Sequence, residues 1–295
     1  MLCDAHLHYI PQAIGAYTSF YQGVWQDKDK LYDFLDANGI AKALLVYPST
    51  DAHKKLRGHE EEAVIYNGEV EALAKENPKI IPCAILNMDD VSYIPGQIAE
   101  LAERGFKAVS LASSYNGKFV IDKLTLVFEA LQANKMNVFI HPQTDNPVGF
   151  DRVDDPLLMP VLEYSFDLSL CMGILMMQGV LDRYRIKFIF SSLGGVMPFL
   201  KDRFDRVYPM LKARGMVKDL GKKPSEILKK IYVDTSGASL TNIKLAVDLF
   251  GDDRILWGSD YPVNPDVQDN LGELEAFGPG IKNKITSGNF LEFIS

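Results

Sequence analysis

The chain has 295 residues, of which 47% are hydrophobic and 24% are charged, and these proportions are typical of a soluble globular protein. Its formal net charge of −8 argues against a general nucleic-acid binder, because such proteins usually present a basic face. A chain of this length can bury a large core without support from disulfides.

The cysteines and the most apolar stretch bear on the cellular location. Cys3, Cys83 and Cys171 lie far apart in apolar runs and form no CxxC pair, so we expect buried, reduced thiols and a cytoplasmic location. We expect no signal peptide before the first predicted strand. Residues 168–180 are too short a stretch to cross a bilayer, and they predict a buried helix and no membrane partner.

Short apolar runs rich in Val, Ile and Phe alternate with amphipathic segments along the whole chain. Most of the runs are continuously hydrophobic, which is typical of parallel strands covered on both faces. The predicted strands are 1–7, 41–47, 80–86, 106–111, 137–140, 187–190, 231–233 and 255–257. The predicted helices include 28–38, 60–76, 98–104, 124–134, 197–214, 224–230 and 242–250.

This alternation predicts an α/β protein of the (β/α)₈ TIM-barrel type, with residues 1–295 forming a single domain. A doubly wound open sheet is the alternative, but it usually has fewer strands and a glycine-rich loop after the first strand. Here His6-Leu7-His8 stands in that place. Two stretches, near 50–62 and 144–160, are predicted insertions over the barrel mouth and candidate lids.

Three of the five histidines fall where chemistry gathers in such barrels, at the C-terminal ends of strands. His6 and His8 close the first strand and, two residues apart, face the same side; His141 closes the fifth strand. Asp260 closes the eighth strand, which neighbours the first in a closed barrel. Three imidazoles and one carboxylate suit a single divalent metal ion such as zinc, with room for water. The alternative is a metal-free barrel in which these histidines are structural.

Motifs in order along the chain resemble those of the amidohydrolase superfamily, in the amidohydrolase-related branch that includes aminocarboxymuconate semialdehyde decarboxylase. DAHLH at residues 4–8 resembles the family's DxHxH strand, and GSDYP at 258–262 its eighth strand. These two motifs together are the specific part of the resemblance. Between them lie GFKAV at 105–109, FIHP at 139–142, GVLDRY at 179–184, LGG at 193–195 with Pro198, and DTSG at 234–237.

The resemblance implies a metal-dependent enzyme with a TIM-barrel fold that acts on small, carboxylated, often ring-derived substrates. The metal ligands of the family fall on His6, His8, His141 and Asp260. The fourth-strand lysine that bridges two metals in other branches has no counterpart, because Lys107 occurs too early, so we expect a mononuclear site. A homodimer is the oligomer that such a resemblance suggests.

One position departs from the family pattern. Ser192 stands where the family has an acid–base histidine, and loss of a positioned base typically costs about 10² to 10⁴ in rate. Three explanations stay open. Asp260 could itself manage the proton, His53 or His59 could replace the missing histidine, or the protein could have lost catalysis and kept metal or ligand binding.

We therefore expect a metal-dependent hydrolase that acts on a small lactone, amide or ring-derived acid through a metal-bound water, with Asp260 as the catalytic residue. Hydrolysis is preferred because the missing histidine harms proton delivery to carbon more than attack by water. The alternatives are a nonoxidative decarboxylase of an aromatic or muconate-type acid and an inactive metal- or ligand-binding barrel. The predicted substrate-binding residues are Ser192, Arg57, Asn87 and Ser236.

Overall fold

The structure, a computed structural model, describes residues 1–115, 117–119, 124–149 and 155–295. In these residues eight parallel strands follow one another around a sheet in the order of the sequence, each paired with the next. Every predicted strand is present, with boundaries that agree to within about two residues. The strands are β1 (Leu2–His8), β2 (Ile40–Val46), β3 (Ile80–Ala84), β4 (Ala108–Ala112), β5 (Asn137–His141), β6 (Phe188–Phe190), β7 (Tyr232–Asp234) and β8 (Ile255–Leu256).

Backbone hydrogen bonds between β1 and the end of β8 close the sheet into a barrel. Ala5 N donates to Trp257 O at 2.9 Å, and Asp260 N donates to His6 O at 2.8 Å. Gly258 allows this approach, because a Cβ atom there would stand 2.9 Å from Cβ of His6. The TIM-barrel prediction is confirmed, and the closure brings the eighth strand end beside the first.

Helices cover the outside of the barrel, and the predicted helices are present. The fourth helix begins at Ile94, four residues before the prediction, because Pro95 occupies its first turn, where proline is well tolerated. The α-helices are α1 (Gln12–Gly15), α2 (Lys28–Ala37), α3 (Gly58–Glu76), α4 (Ile94–Glu103), α5 (Thr125–Ala133), α6 (Tyr164–Met177), α7 (Val180–Arg183), α8 (Met197–Ala213), α9 (Pro224–Leu228), α10 (Leu240–Phe250), α11 (Gln268–Glu273), α12 (Gly278–Asn283) and α13 (Asn289–Ile294).

Apolar side chains fill the barrel and close its lower end. Leu44, Val46 and Phe139 belong to a buried cluster formed mainly by strand residues, and α13 adds Phe290 and Phe293 to it. Asn137, the first residue of β5, donates to Phe293 O at 2.7 Å, which places α13 at the N-terminal ends of the strands. The opposite, C-terminal end of the barrel is therefore left for the polar residues.

Helix α6 differs from the expected buried helix. Only one face of it packs on the barrel, while Phe166 and Leu170 are 37% and 48% exposed. The reason is geometric, since a helix on the outer layer of a barrel has only one side to bury. The helical segment Met159–Met177 is long and apolar enough to cross a membrane by length and composition alone, a test that the core helix of a soluble protein also passes.

The two predicted lid segments contact each other at the mouth. Lys54 forms an ion pair with Asp145, and Thr144 Oγ1 donates to Pro48 O at 3.1 Å. Residues 150–154, which belong to the second predicted lid, lie outside the described residues. Movement of these segments as lids stays a prediction. The three cysteines are buried, and the structure shows no disulfide among them.

Candidate metal centre

The four predicted ligands come together at the C-terminal end of the barrel. His6 Nε2 and His8 Nε2 lie 3.1 Å apart, and Asp260 Oδ1 is 3.1 Å from His8 Nε2 and 3.6 Å from His6 Nε2. The ligating nitrogen of His141 lies within 4.8 Å of those of the other two histidines. Residues more than 100 positions apart thus share one small volume.

The outer nitrogen of each imidazole is held by an acceptor. His6 Nδ1 lies 3.0 Å from Asp234 Oδ2, His8 Nδ1 lies 2.9 Å from Val46 O, and His141 Nδ1 lies 2.9 Å from Pro142 O. A neutral ring with its proton on Nδ1 directs the lone pair of Nε2 inward, the usual arrangement around protein-bound metals. His6 Nε2 and His8 Nε2, only 3.1 Å apart, need either a proton or a metal ion between them. This donor set fits a divalent metal ion.

The protonation of the histidines supports the same assignment. Burial lowers the pKa of His8, and burial lowers that of His141 far below its usual range, so both rings are neutral and available as ligands. Burial also acts to lower the pKa of His6, but the adjacent Asp234 carboxylate outweighs it and the pKa rises to about 9. A metal ion therefore competes with a proton chiefly at His6.

Two buried acids position the first strand. Asp4 Oδ1 accepts hydrogen bonds from the backbone N–H groups of His6 and Ser259, both at 3.0 Å, and so ties β1 to the residues after β8. Asp4 Oδ2 has no hydrogen-bond partner among the described residues, and burial raises the pKa of this carboxyl to about 7. Asp4 and Asp234 both stand within motifs noted in the sequence. The available signals were the position of Asp4 two residues before His6 and the position of Asp234 at the end of β7.

Ser192 and Ser236, two predicted substrate-binding residues, border a cavity of about 340 Å³ whose described lining includes none of the four predicted ligands. Their hydroxyl oxygens are 3.2 Å apart, and Ser236 Oγ lies 3.1 Å from His6 Nδ1. Asp234 Oδ1 accepts from the backbone N–H of both serines, at 3.1 and 3.0 Å. The position of the family's sixth-strand histidine is thus occupied by a hydroxyl group that faces this cavity.

The other two predicted substrate-binding residues line neither of two cavities at the barrel mouth. The Arg57 side chain is 89% exposed and pairs with Glu61. Asn87 Oδ1 accepts from the backbone N–H of Asp89 at 3.0 Å. Neither residue borders the cavity beside Ser192 or a smaller cavity of about 40 Å³ on the side of β2 and β4. Their role in substrate binding stays a prediction.

His53 and His59, the candidate replacements for the missing histidine, line this smaller cavity together with Glu62. Their rings stack with centroids 4.1 Å apart. His59 Nδ1 lies 2.9 Å from Asp89 Oδ1, and His53 Nδ1 lies 3.0 Å from Thr50 O. These contacts hold the two rings in a cluster of their own.

The fold and the four converging side chains define a (β/α)₈ protein with a candidate site for a divalent metal ion at the mouth of the barrel. Residues 3–289 match the Amidohydrolase family, and the chain belongs to that family. The resemblance seen in the sequence motifs is thereby confirmed.

Individual relatives agree with this classification. The chain is 28% identical over 244 residues to 2-amino-3-carboxymuconate-6-semialdehyde decarboxylase of Dictyostelium discoideum, an alignment that covers 77% of this chain and 65% of the relative, less than two thirds of its length. Among solved structures, a 5-carboxyvanillate decarboxylase of Novosphingobium aromaticivorans complexed with manganese and 4-hydroxy-3-methoxy-5-nitrobenzoic acid matches with a TM-score of 0.84 at 19% identity, covering 100% of this chain and 96% of the other. A 2,6-dihydroxybenzoate decarboxylase from Rhizobium matches with a TM-score of 0.81 at 17% identity, covering 99% and 98%. These structures support the fold.

Proposed function

We propose that this protein is a metal-dependent nonoxidative decarboxylase of a small aromatic or ring-derived carboxylic acid. The observation that carries the proposal is the convergence of His6, His8, His141 and Asp260 on one volume at the C-terminal end of the barrel. The similar proteins are named as decarboxylases, so their activities favour decarboxylation. They do not support the hydrolysis that we expected from the sequence. They also leave zinc unconfirmed, since manganese is the metal named in one of them.

The reaction sets two demands on the site. Loss of CO₂ breaks the bond between the ring carbon and the carboxyl carbon, leaves the electron pair on the ring, and requires a proton at that carbon. A divalent ion held by the four ligands would supply Lewis-acid polarisation of the substrate's oxygen atoms. The protein must supply the proton and hold the ring in place.

The surroundings of Asp260 support its role as the group that handles the proton. Its carboxylate contacts His8, yet 22% of its side chain remains exposed, so it faces both the ligands and the open mouth. The backbone of Asp260 is held by a hydrogen bond to His6 O, which fixes the carboxylate relative to β1. We assign Asp260 as the group that carries the proton to the ring carbon, because Ser192 does not titrate near neutral pH.

The cavity beside Ser192 and Ser236 fits a substrate with one ring. Its volume of about 340 Å³ lies within the range of small-ligand sites. The two hydroxyl groups can donate hydrogen bonds to a carboxylate or a ring oxygen, while Leu193, Val196 and Pro198 supply apolar surface. Size and polarity therefore favour a compact carboxylated ring.

The test uses protein stripped with a chelator and reloaded with Mn²⁺ or Zn²⁺. We expect CO₂ release from aromatic acids such as 2,6-dihydroxybenzoate or 5-carboxyvanillate, and a loss of about 10²- to 10⁴-fold in Asp260→Asn. The matched control is Asp266→Asn, an exposed acid after the same strand, which should keep full activity. Turnover of lactones or amides without CO₂ release would restore the hydrolase hypothesis. Inactivity toward both classes with metal bound would favour an inactive binding barrel, which the serine at position 192 makes the second candidate.

We also propose a cytoplasmic location and a small-molecule partner, and the predicted homodimer remains to be tested by mass measurement in solution. The buried cysteines are compatible with a reducing compartment.

A further inference from the structure

A buried carboxylate that the proposed reaction does not use lies behind one of the candidate metal ligands. Asp167 is on α6 and its side chain is 1% exposed. Among the residues that the structure describes, no Lys or Arg forms an ion pair with it. A series of hydrogen bonds leads from this carboxylate to His141 at the end of β5. We propose that Asp167 is a positioning residue that sets the orientation of the His141 imidazole, an inference that rests on the metal centre of the proposed function.

The last link of the series is the peptide group between Pro142 and Gln143. Its carbonyl oxygen, Pro142 O, lies 2.9 Å from His141 Nδ1, and its N–H, on Gln143, donates to Ser113 Oγ at 3.0 Å. A peptide group is planar, so the direction of its N–H also fixes the direction of its carbonyl. The proline ring locks φ at residue 142, which leaves ψ as the rotation by which this carbonyl can turn. Ser113 therefore determines where His141 finds its acceptor.

Ser113 connects this peptide group to the carboxylate. Its side chain is buried, and its backbone N–H donates to His141 O at 2.8 Å. Its hydroxyl group donates to Asp167 Oδ2. A hydroxyl group carries one hydrogen, so when that hydrogen points at the carboxylate, only lone pairs face the N–H of Gln143. Asp167 thus keeps Ser113 Oγ in the role of an acceptor.

Two further donors hold the carboxylate itself. Ser114 Oγ lies 3.0 Å from Asp167 Oδ2 and 3.1 Å from Oδ1, and the backbone N–H of Val148 donates to Oδ1 at 2.9 Å. A buried carboxylate costs stability when no basic group pairs with it, and neutral donors offset only part of that cost. Here the donors fasten the end of β4 and the segment after β5 to α6. The carboxylate is therefore held in a fixed place relative to His141.

The orientation of His141 decides which of its nitrogens can bind an ion. With Nδ1–H directed at Pro142 O, the lone pair of Nε2 is free for a metal. If the carbonyl turned away, the proton could move to Nε2, and that nitrogen would no longer be a ligand. Loss of the bond between Asp167 and Ser113 should therefore change the tautomer of His141 without any change in its immediate contacts.

The experiment reads the tautomer of His141 in the metal-free full chain. The chain has five histidines, so long-range ¹H–¹⁵N NMR of histidine-labelled protein gives a simple spectrum, in which His141→Gln assigns the signal. We expect the Nδ1–H tautomer in the wild type and a mixture with the Nε2–H tautomer in Ser113→Ala and Asp167→Asn. Asparagine offers one acceptor in place of two, so either Ser113 or Val148 must lose its partner.

The neighbouring serine provides the matched control. Ser114 is as buried as Ser113 and donates to the same carboxylate, but in the described structure its hydroxyl group makes no hydrogen bond to the 142–143 peptide. Ser114→Ala should therefore keep the wild-type tautomer.

Metal affinity provides a second readout. Ser113→Ala and Asp167→Asn should weaken Co²⁺ binding about 10-fold in chelator competition and alter the visible absorption of the bound ion, whereas Ser114→Ala should stay within about threefold of the wild type. Urea unfolding of the same variants shows whether either readout merely follows stability.

The outcomes separate this proposal from the proposed function. An unchanged His141 tautomer in Asp167→Asn or in Ser113→Ala would overturn the proposal, and so would an equal change in Ser114→Ala, which would indicate a general loss of packing. If Asp167→Asn does not fold, as judged by circular dichroism, the comparison of the two serine variants decides. The tautomer is read without metal or turnover, so a chain that released no CO₂ would count against the proposed function and not against the role of Asp167.

Discussion

Asp234→Asn tests whether the support of the metal centre is as the structure shows it. Asp234 is fully buried at the end of β7. One carboxylate oxygen faces His6 Nδ1, and the other accepts from the backbone of Ser192 and Ser236. Asparagine keeps the shape but replaces one acceptor by a donor, so either His6 Nδ1–H or the serine N–H groups must lose their partner.

Two magnitudes follow from this loss. Removal of an acceptor behind a ligating histidine typically weakens metal binding about 10- to 100-fold, or about 1.4 to 2.8 kcal/mol. In the metal-free protein, Asp234 is the largest influence that raises the pKa of His6, from its ordinary 6.5 to about 9 against the opposing effect of burial. That change corresponds to a stabilisation on the order of 3 kcal/mol.

The sign of the pH effect is fixed by the direction of the shift. A histidine whose pKa is raised by folding stabilises the native state fully below its unfolded pKa of 6.5, and this stabilisation is lost as the pH rises through about 9. The free energy of unfolding of the chelator-treated wild type should therefore fall between those values. Asp234→Asn should show much less of this decline.

Chelator competition gives the metal affinity of both proteins. Urea unfolding from pH 6 to 10 gives the stability of the metal-free forms. The control is Asp248→Asn, an acid 69% exposed on α10, which should change stability by less than about 0.5 kcal/mol. Metal affinity of Asp234→Asn within about threefold of the wild type, with an unchanged pH profile, would refute the reasoning.

Three further outcomes are expected. Phe139→Ala, inside the barrel, should lower the free energy of unfolding by about 3 to 5 kcal/mol in urea, whereas Phe199→Ala, 81% exposed, should change it by less than about 0.5 kcal/mol. Gly58→Ala should lower the melting temperature, because φ is +71° and Cβ would meet a carboxylate, while Gly68→Ala, in the open interior of the same helix, should raise it by the equivalent of about 0.5 to 1 kcal/mol. Ser192→Ala should leave the metal content by elemental analysis unchanged, since its hydroxyl lies behind the ligands; loss of metal would contradict that placement.

Much of the architecture was accessible from local patterns. Continuous apolar runs located the strands to within about two residues. A strand that is covered on both faces is apolar along its whole length, so the ends of the apolar run mark the ends of the strand. The rule that functional residues gather at C-terminal strand ends then selected His6, His141 and Asp260 without knowledge of distances. The start of α4 was misplaced because the signal of Pro95 in the first turn was not used.

The sequence by itself determined the order of strands and helices and the identity of the side chains that meet at the barrel mouth, since both depend on short-range periodicity and on a fold with a fixed polarity. Tertiary structure alone decided the partner of each side chain: that Asp234 lies behind His6, that Arg57 points to solvent, and that His53 stacks on His59 beside a buried Glu62. The physical reason is that hydrogen-bond partners and burial depend on how the closed barrel brings distant segments together, and no local pattern records those distances.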